Sequence, residues 1–300
     1  MAKKGPGRPP ARKDMHTIEH QGIIDVPSEP NYRLEFLYDT PSAFKNIFTY
    51  FKNIKAKEIH IKCNPKYMAF FVRDHINIQR TVVHIEGSKI NRYFCSGEFT
   101  INVTMDRIEN IFNTIDSSIT TISFIQEDDN INCMYIILRN LDLGREGKHR
   151  VDLSTFNEDQ ELYDSELLLT KESMDSYPIS FSMSAKDFKK MIGDILCISK
   201  NGHEYVMMEK VEGKPLYFTH ASQNDTYHEI YHDTKQIKLR DLLNGEPFHI
   251  EIKVTNLKCL YSALLQNDIT IYGKEGSDMI LTTTAEDTAD VTVSTLLKLR

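Results

Sequence analysis

The chain has 300 residues, 40% of them hydrophobic, and a formal net charge of −7. That length suits two domains of about 120 to 150 residues, each with its own core. No stretch approaches the roughly 18 uninterrupted apolar residues of a membrane span, and the basic, proline-rich start lacks a secretory signal's apolar segment. A soluble intracellular protein with no membrane partner is expected. Cys63, Cys95, Cys133, Cys197 and Cys259 stand singly, with no Cys-x-x-Cys pair, which suits a reducing compartment and no structural zinc.

Charge is unevenly placed. Residues 1–13 hold Lys3, Lys4, Arg8, Arg12 and Lys13 and no acid; setting those five aside leaves 31 basic against 43 acidic side chains, a body at −12. Such a body is no general nucleic-acid sponge. If DNA binds it, positive charge must be gathered on one surface.

Taken in order, residues 1–30 carry prolines at 6, 9, 10, 27 and 30 with almost no apolar periodicity, and read as a disordered basic arm. The first helical segment buries Phe44, Ile47, Phe48 and Phe51, and turns Lys45, Thr49 and Lys52 outward. The segments EIHIKC, MAFFVR and TVVHIE read as strands. A second helix sets Ile108, Ile111, Phe112 and Ile115 against Arg107, Asn110 and Thr114, and the strand-like TISFIQ and CMYIILR follow. Asp128-Asp129 between these two is a hairpin turn rather than a carboxylate pair.

Residues 154–177 contain seven acids and one lysine and end before Pro178, marking a connector between a first domain at 31–153 and a second at 178–300. Leu167, Leu168 and Leu169 inside it either pin the connector to a domain or form one wall of a partner groove. A third helix sets Phe188, Met191, Ile192 and Ile195 against Lys186, Lys189 and Lys190; a fourth sets Leu257, Leu260, Tyr261 and Leu264 against Lys258 and Ser262. HIEIKV, DITIYG and MILTTT read as strands. Short, closely spaced strands with few helices predict an α+β fold of antiparallel sheets with helices on one face.

The halves resemble each other. The stretch 34–51 has a counterpart at 178–196, Phe44-Lys45 falling on Phe188-Lys189, and residues 99–112 match 248–261 at a constant offset of 149. Two copies of one domain are expected.

Chemical motifs are sparse. There is no GxxxxGK[ST] loop, GxGxxG turn or GxSxG elbow, and only thirteen glycines. Residues 228–232 read HEIYH, which on a helix would be a metallopeptidase zinc site of His228, Glu229 and His232. Here β-favouring residues and flanking turn formers give a seven-residue segment of strand character. A strand sets the histidines about 13 Å apart, whereas zinc needs both nitrogens within about 2.1 Å. No catalytic residue, metal or cofactor is expected.

The two similar halves, basic helix faces, acidic body and acidic connector resemble the DNA sliding clamp family, proliferating cell nuclear antigen type. The stretch YRLEFLYDTPSAFKNIFTYFKNIKAKEIHIKCNPKYMAFFVRD, with GPGRPP in the arm, is similar to clamp-like proteins of asfar-type large DNA viruses. The resemblance covers about residues 32–299. It implies a non-enzymatic, homotrimeric ring around double-stranded DNA, with sheets outside and basic helices inside, tethering DNA polymerase and other replication and repair enzymes.

By helix position, Lys45, Lys52, Arg107, Lys186, Lys189, Lys190 and Lys258 are then the DNA-facing cations. The resemblance further implies subunit joining through edge strands at 131–138 and 226–232, involving Cys133, Tyr135, Ile137, Tyr227, Glu229 and Tyr231. A conventional groove also uses a C-terminal tail after the last strand, and the sequence stops at Leu299-Arg300, so partners are expected to dock differently. Arg8 in an AT-hook-like arm is a DNA contact, part of a localisation signal or part of a solubilising tail. If the protein is viral, a host cytoplasmic replication site or the nucleus is its expected location. A monomeric subunit held to DNA by charge remains the second reading, and the HEIYH metallopeptidase a third.

Overall fold

The computed structural model describes residues 32–75, 79–154, 175–199, 204–221, 226–232, 237–241, 245–261, 268–274, 279–284 and 291–297. Arg8, with the basic arm, and Leu167, Leu168 and Leu169, in the connector, lie outside them. The first half runs β1 (Tyr32–Tyr38), α1 (Pro41–Asn53), β2 (Glu58–Asn64), β3 (Tyr67–Arg73), β4 (Gln79–Glu86), β5 (Arg92–Cys95), β6 (Phe99–Thr104), α2 (Met105–Asn113), β7 (Thr121–Glu127), β8 (Cys133–Asn140) and β9 (Arg145–Asp152). The second runs β10 (Ile179–Ser184), α3 (Ala185–Ile198), β11 (Tyr205–Lys210), β12 (Leu216–Ala221), β13 (Thr226–Tyr231), β14 (Lys238–Asp241), β15 (Phe248–Lys253), α4 (Val254–Tyr261), β16 (Asp268–Gly273), β17 (Met279–Thr284) and β18 (Val291–Leu297). The order of elements is the same in both halves, and every ladder between strands is antiparallel. The α+β expectation holds.

Local chemistry explains the helices. Proline stands at the first position of α1, where its missing N–H costs nothing. Phe44, Ile47, Phe48 and Phe51 are all buried, as their spacing requires. At α3, the N-cap Ser184 accepts a hydrogen bond from the Asp187 amide (3.1 Å) and its hydroxyl donates to the Asp187 carboxylate (2.6 Å), capping the first turn.

The strands form three sheets, in the orders β5-β1-β7-β8-β9, β14-β10-β16-β17-β18-β4-β3-β2-β6, and β13-β12-β11-β15. The nine-stranded sheet therefore spans both halves, joined where β18 pairs with β4 from Val291↔Ile85 to Leu297↔Gln79. Strand β3, near its middle, is buried at five successive positions because both its faces are covered. On one side lies the main core; on the other, Ala69, Phe71 and Val82 pack with Tyr67, Tyr177 and Tyr272.

Aromatic rings tie sheets to helices. In the first half Phe124 on β7 meets Phe36 (5.3 Å), Phe44 (5.3 Å), Phe70 (6.1 Å) and Phe112 (6.4 Å), one ring each from β1, α1, β3 and α2. Phe48 of α1 stacks on Phe112 of α2 at 3.5 Å. In the second half Phe181, Phe218 and Tyr231 form a triangle with centroids 5.0 to 6.1 Å apart. Phe124→Ala removes the ring that four elements share, and is expected to cost about 3–5 kcal/mol, read as a lower melting temperature.

Candidate functional site

The sequence-predicted cations divide by half. Lys45 on α1 donates from Nζ to the Ile115 carbonyl (2.6 Å), occupying a free acceptor just past the end of α2. Lys52 pairs with Glu109 of α2 at 2.5 Å. Arg107 on α2 donates to the Asp152 carbonyl (2.5 Å) and so ties the helix to the end of β9. An open cavity of about 640 Å³ beside these residues is lined by Lys52, Lys55, Lys57, His75, Asp106 and Glu109, charges of both signs. In the second half, Lys186 and Lys190 are exposed on α3 and Lys189 half-exposed. Among the described residues Lys186 and Lys189 hold no hydrogen bond or ion pair. Lys258 lies in α4, its side chain outside the description.

The HEIYH segment lies on β13 with His232 just beyond it. Alternation along the strand turns His228 and Ile230 outward and Tyr227, Glu229 and Tyr231 inward. His228 hydrogen-bonds the Thr219 hydroxyl (3.2 Å), away from Glu229. Tyr231 is buried against Phe181 and Phe218, and the Tyr227 hydroxyl donates to Glu229. Burial raises the Glu229 pKa; the Asp194 and Asp187 carboxylates of α3 raise it further, while the Tyr231 hydroxyl and Lys190 oppose them.

The expected edge strand at 131–138 is corrected by the pairing. Cys133, Tyr135 and Ile137 sit on β8, which pairs with β7 on one side and β9 on the other, so its backbone has no open edge. The edge is β9, REGKHRVD. Its charges hide the period-2 alternation that marks a strand, although Gly147, His149 and Val151 do face inward. The internal repeat was the signal that finds it, since β9 is the ninth strand of its half as β18 is of the other.

Following the ladders across each half matches the strands residue by residue. The row Phe99–Cys63–Met68–Ile85 across β6, β2, β3 and β4 corresponds to Phe248–Lys210–Leu216–Tyr231 across β15, β11, β12 and β13. Likewise Phe36–Phe124–Ile136–His149 across β1, β7, β8 and β9 corresponds to Phe181–Ile271–Leu281–Thr295 across β10, β16, β17 and β18. Of the six sheet ends, β5 matches β14 and β6 matches β15. The other two are β9 and β13, and their counterparts β18 and β4 are paired with each other.

Among the described residues, two halves with the same order of nine strands and two helices, joined through one strand pair, make this an α+β protein of antiparallel sheets. No protein-family model matches the chain. Over 281 residues it is 32% identical to protein E301R of African swine fever virus isolate Tick/Malawi/Lil 20-1/1983, a match covering 93% of this chain and 92% of the relative. Identity and coverage are the same for E301R of isolates Pig/Kenya/KEN-50/1950 and Warthog/Namibia/Wart80/1980. The chain belongs to this E301R family of viral proteins.

Glu229 has a stability consequence. An acid whose folded pKa is raised binds protons more readily folded than unfolded, so ionisation at neutral pH weakens the fold. Under conditions where the chain is monomeric, Glu229→Gln is expected to raise the melting temperature at pH 7. That gain should shrink as pH falls through the glutamate range, where Glu229 itself protonates; an equal gain at all pH values would contradict it.

Proposed function

We propose that this chain is a DNA sliding clamp, a non-enzymatic processivity factor whose copies join head to tail into a three-membered ring around double-stranded DNA. One observation carries the reading: among the described residues β9 and β13 are unpaired sheet edges, although their counterparts β18 and β4 pair inside the chain. Repeating that internal joint between copies satisfies both edges, and a rotation that closes gives a ring instead of a filament.

The helix cations support the DNA partner. Lys186 and Lys189 on α3 offer flexible ammonium groups for phosphates with no base readout, which suits a surface that holds a duplex while sliding. In the first half Lys45, Lys52 and Arg107 already serve intramolecular contacts, so the second half supplies more of the attraction. Replication and repair enzymes are the expected cargo.

The monomeric, charge-held subunit stays as the second reading on one observation. Lys148 and Arg150 on β9 are exposed, and charges on an edge strand are a common guard against pairing with another chain. Light scattering separates the two readings: the clamp predicts a mass near three times 34.7 kDa and retention on circular but not linear DNA. A mass of one chain at every concentration would leave the monomeric reading ahead.

Lys186→Ala with Lys189→Ala is expected to reduce the salt slope of DNA binding by about 2 for each copy whose helix meets the duplex, one for each phosphate that is no longer neutralised. Lys52→Ala, whose ammonium already faces Glu109, is expected to change that slope less. Equal effects from the two changes would contradict the division of labour between halves.

A further inference from the structure

The internal joint and its open counterpart differ in chemistry. Inside the chain, β18 (VTVSTLL) meets β4 (QRTVVHIE), with Val83, Ile85 and Val293 buried along the seam. The open edges are REGKHRVD on β9 and TYHEIY on β13. Burial of apolar surface makes the first joint indifferent to salt, whereas the second is furnished with charge.

The matched ladders also give the register. Because Val291 faces Ile85, Val293 faces Val83 and Thr295 faces Thr81, the equivalent pairs between copies are Arg145 with Tyr231, Gly147 with Glu229, and His149 with Tyr227. Five of the six face inward, and Arg145, exposed at the start of β9, shares their side of the strand by alternation, so this register sets core face against core face; a one-residue slip would not. Opposite Glu229 stands the residue with no side chain, and diagonally on either side stand Arg145 and His149, within reach of a long side chain. Among the described residues Arg145 and His149 hold no ion pair. Glu229 sits in a neighbourhood of two carboxylates, Asp187 and Asp194, with Lys190 as the nearby cation.

We infer that Glu229 is the acceptor for Arg145 and His149 of a second copy, the contact spanning Gly147 and making the ring joint charge-dependent and reversible while the internal joint is permanent. This rests on the clamp reading. A ring that must open to admit a duplex needs one class of joint weaker than the rest, and a charged seam gives way while the β18–β4 seam holds.

The test is a charge-swap cycle in the full-length chain, read by light scattering from about 0.1 M to about 1 M salt, over which the screening length falls from about 10 Å to about 3 Å. Wild type is expected to assemble at low salt and dissociate at high salt. Gly147→Glu sets a carboxylate against Glu229, and Glu229→Lys sets an ammonium between Arg145 and His149; each is expected to weaken association at least about tenfold. Combined, they are expected to restore it.

The backbone at Gly147 admits a side chain, because a Cβ there meets nothing closer than the His149 ring at 3.5 Å, and the melting temperature of the Gly147→Glu chain checks that it folds. Arg145→Glu, on an exposed side chain, is the second probe, and should also be rescued by Glu229→Lys. An assembly that ignores salt and both single changes, or a double variant that stays apart, would overturn the charged joint and leave the ring standing. A wild type that is a single chain at every salt and concentration would remove the ring itself.

Discussion

Each strand presents backbone N–H and C=O groups on two sides, and those groups must be met by a neighbouring strand, by water or by cover. The rest of this structure depends on that requirement at the β18–β4 junction, where the last strand of one half completes the sheet of the other. Without it the nine-stranded sheet would be two sheets, each ending in an apolar strand exposed to water. Because the halves repeat the same order of elements, the solution at one end of the chain leaves the same problem open at the other. The β9 and β13 edges follow from the duplication and need no separate cause.

Much of the fold was legible in the sequence. The i, i+3, i+4, i+7 spacing of Phe44, Ile47, Phe48 and Phe51 marked α1, and an offset of 149 between 99–112 and 248–261 marked a repeat that the structure realises as β6-α2 and β15-α4. HEIYH read as a strand because β-branched and aromatic residues flank it, and all of it but His232 lies on β13. The edge at β9 was illegible by pattern. Arg145, Glu146, Lys148 and Arg150 replace the apolar alternation that exposes a strand, while the apolar run of β8 looked like the last strand although its backbone is paired twice.

The electrostatics were only half visible. Helical spacing brought Lys45 and Lys52 to one face, but the third dimension set Glu109 beside Lys52 and the Ile115 carbonyl beside Lys45. Other charged pairings were hidden for the same reason: Lys210, standing where the first half has Cys63, is buried and tied to Asp241 of β14, an ion pair across 31 residues of sequence. Glu229 is the most telling case. As a motif residue it suggested metal chemistry; on a strand edge beside Asp187 and Asp194 it is a carboxylate that the isolated fold holds at some cost to stability and that an incoming β9 would neutralise.

The proposed ring requires β9 of one copy to pair with β13 of the next in the register by which β18 pairs with β4. A cysteine cross-link tests that requirement most directly. In that register Arg150 stands opposite Thr226 on the outward face, and directly opposed residues in an antiparallel pair lie about 4.5–5.5 Å apart between Cα atoms, within disulfide range. With the exposed Cys197 replaced by serine, a chain carrying Arg150→Cys and Thr226→Cys is predicted to close on oxidation into a covalent species of three chains on a denaturing gel. A chain that remains single under the same oxidation, while the folded state is retained, would contradict the ring.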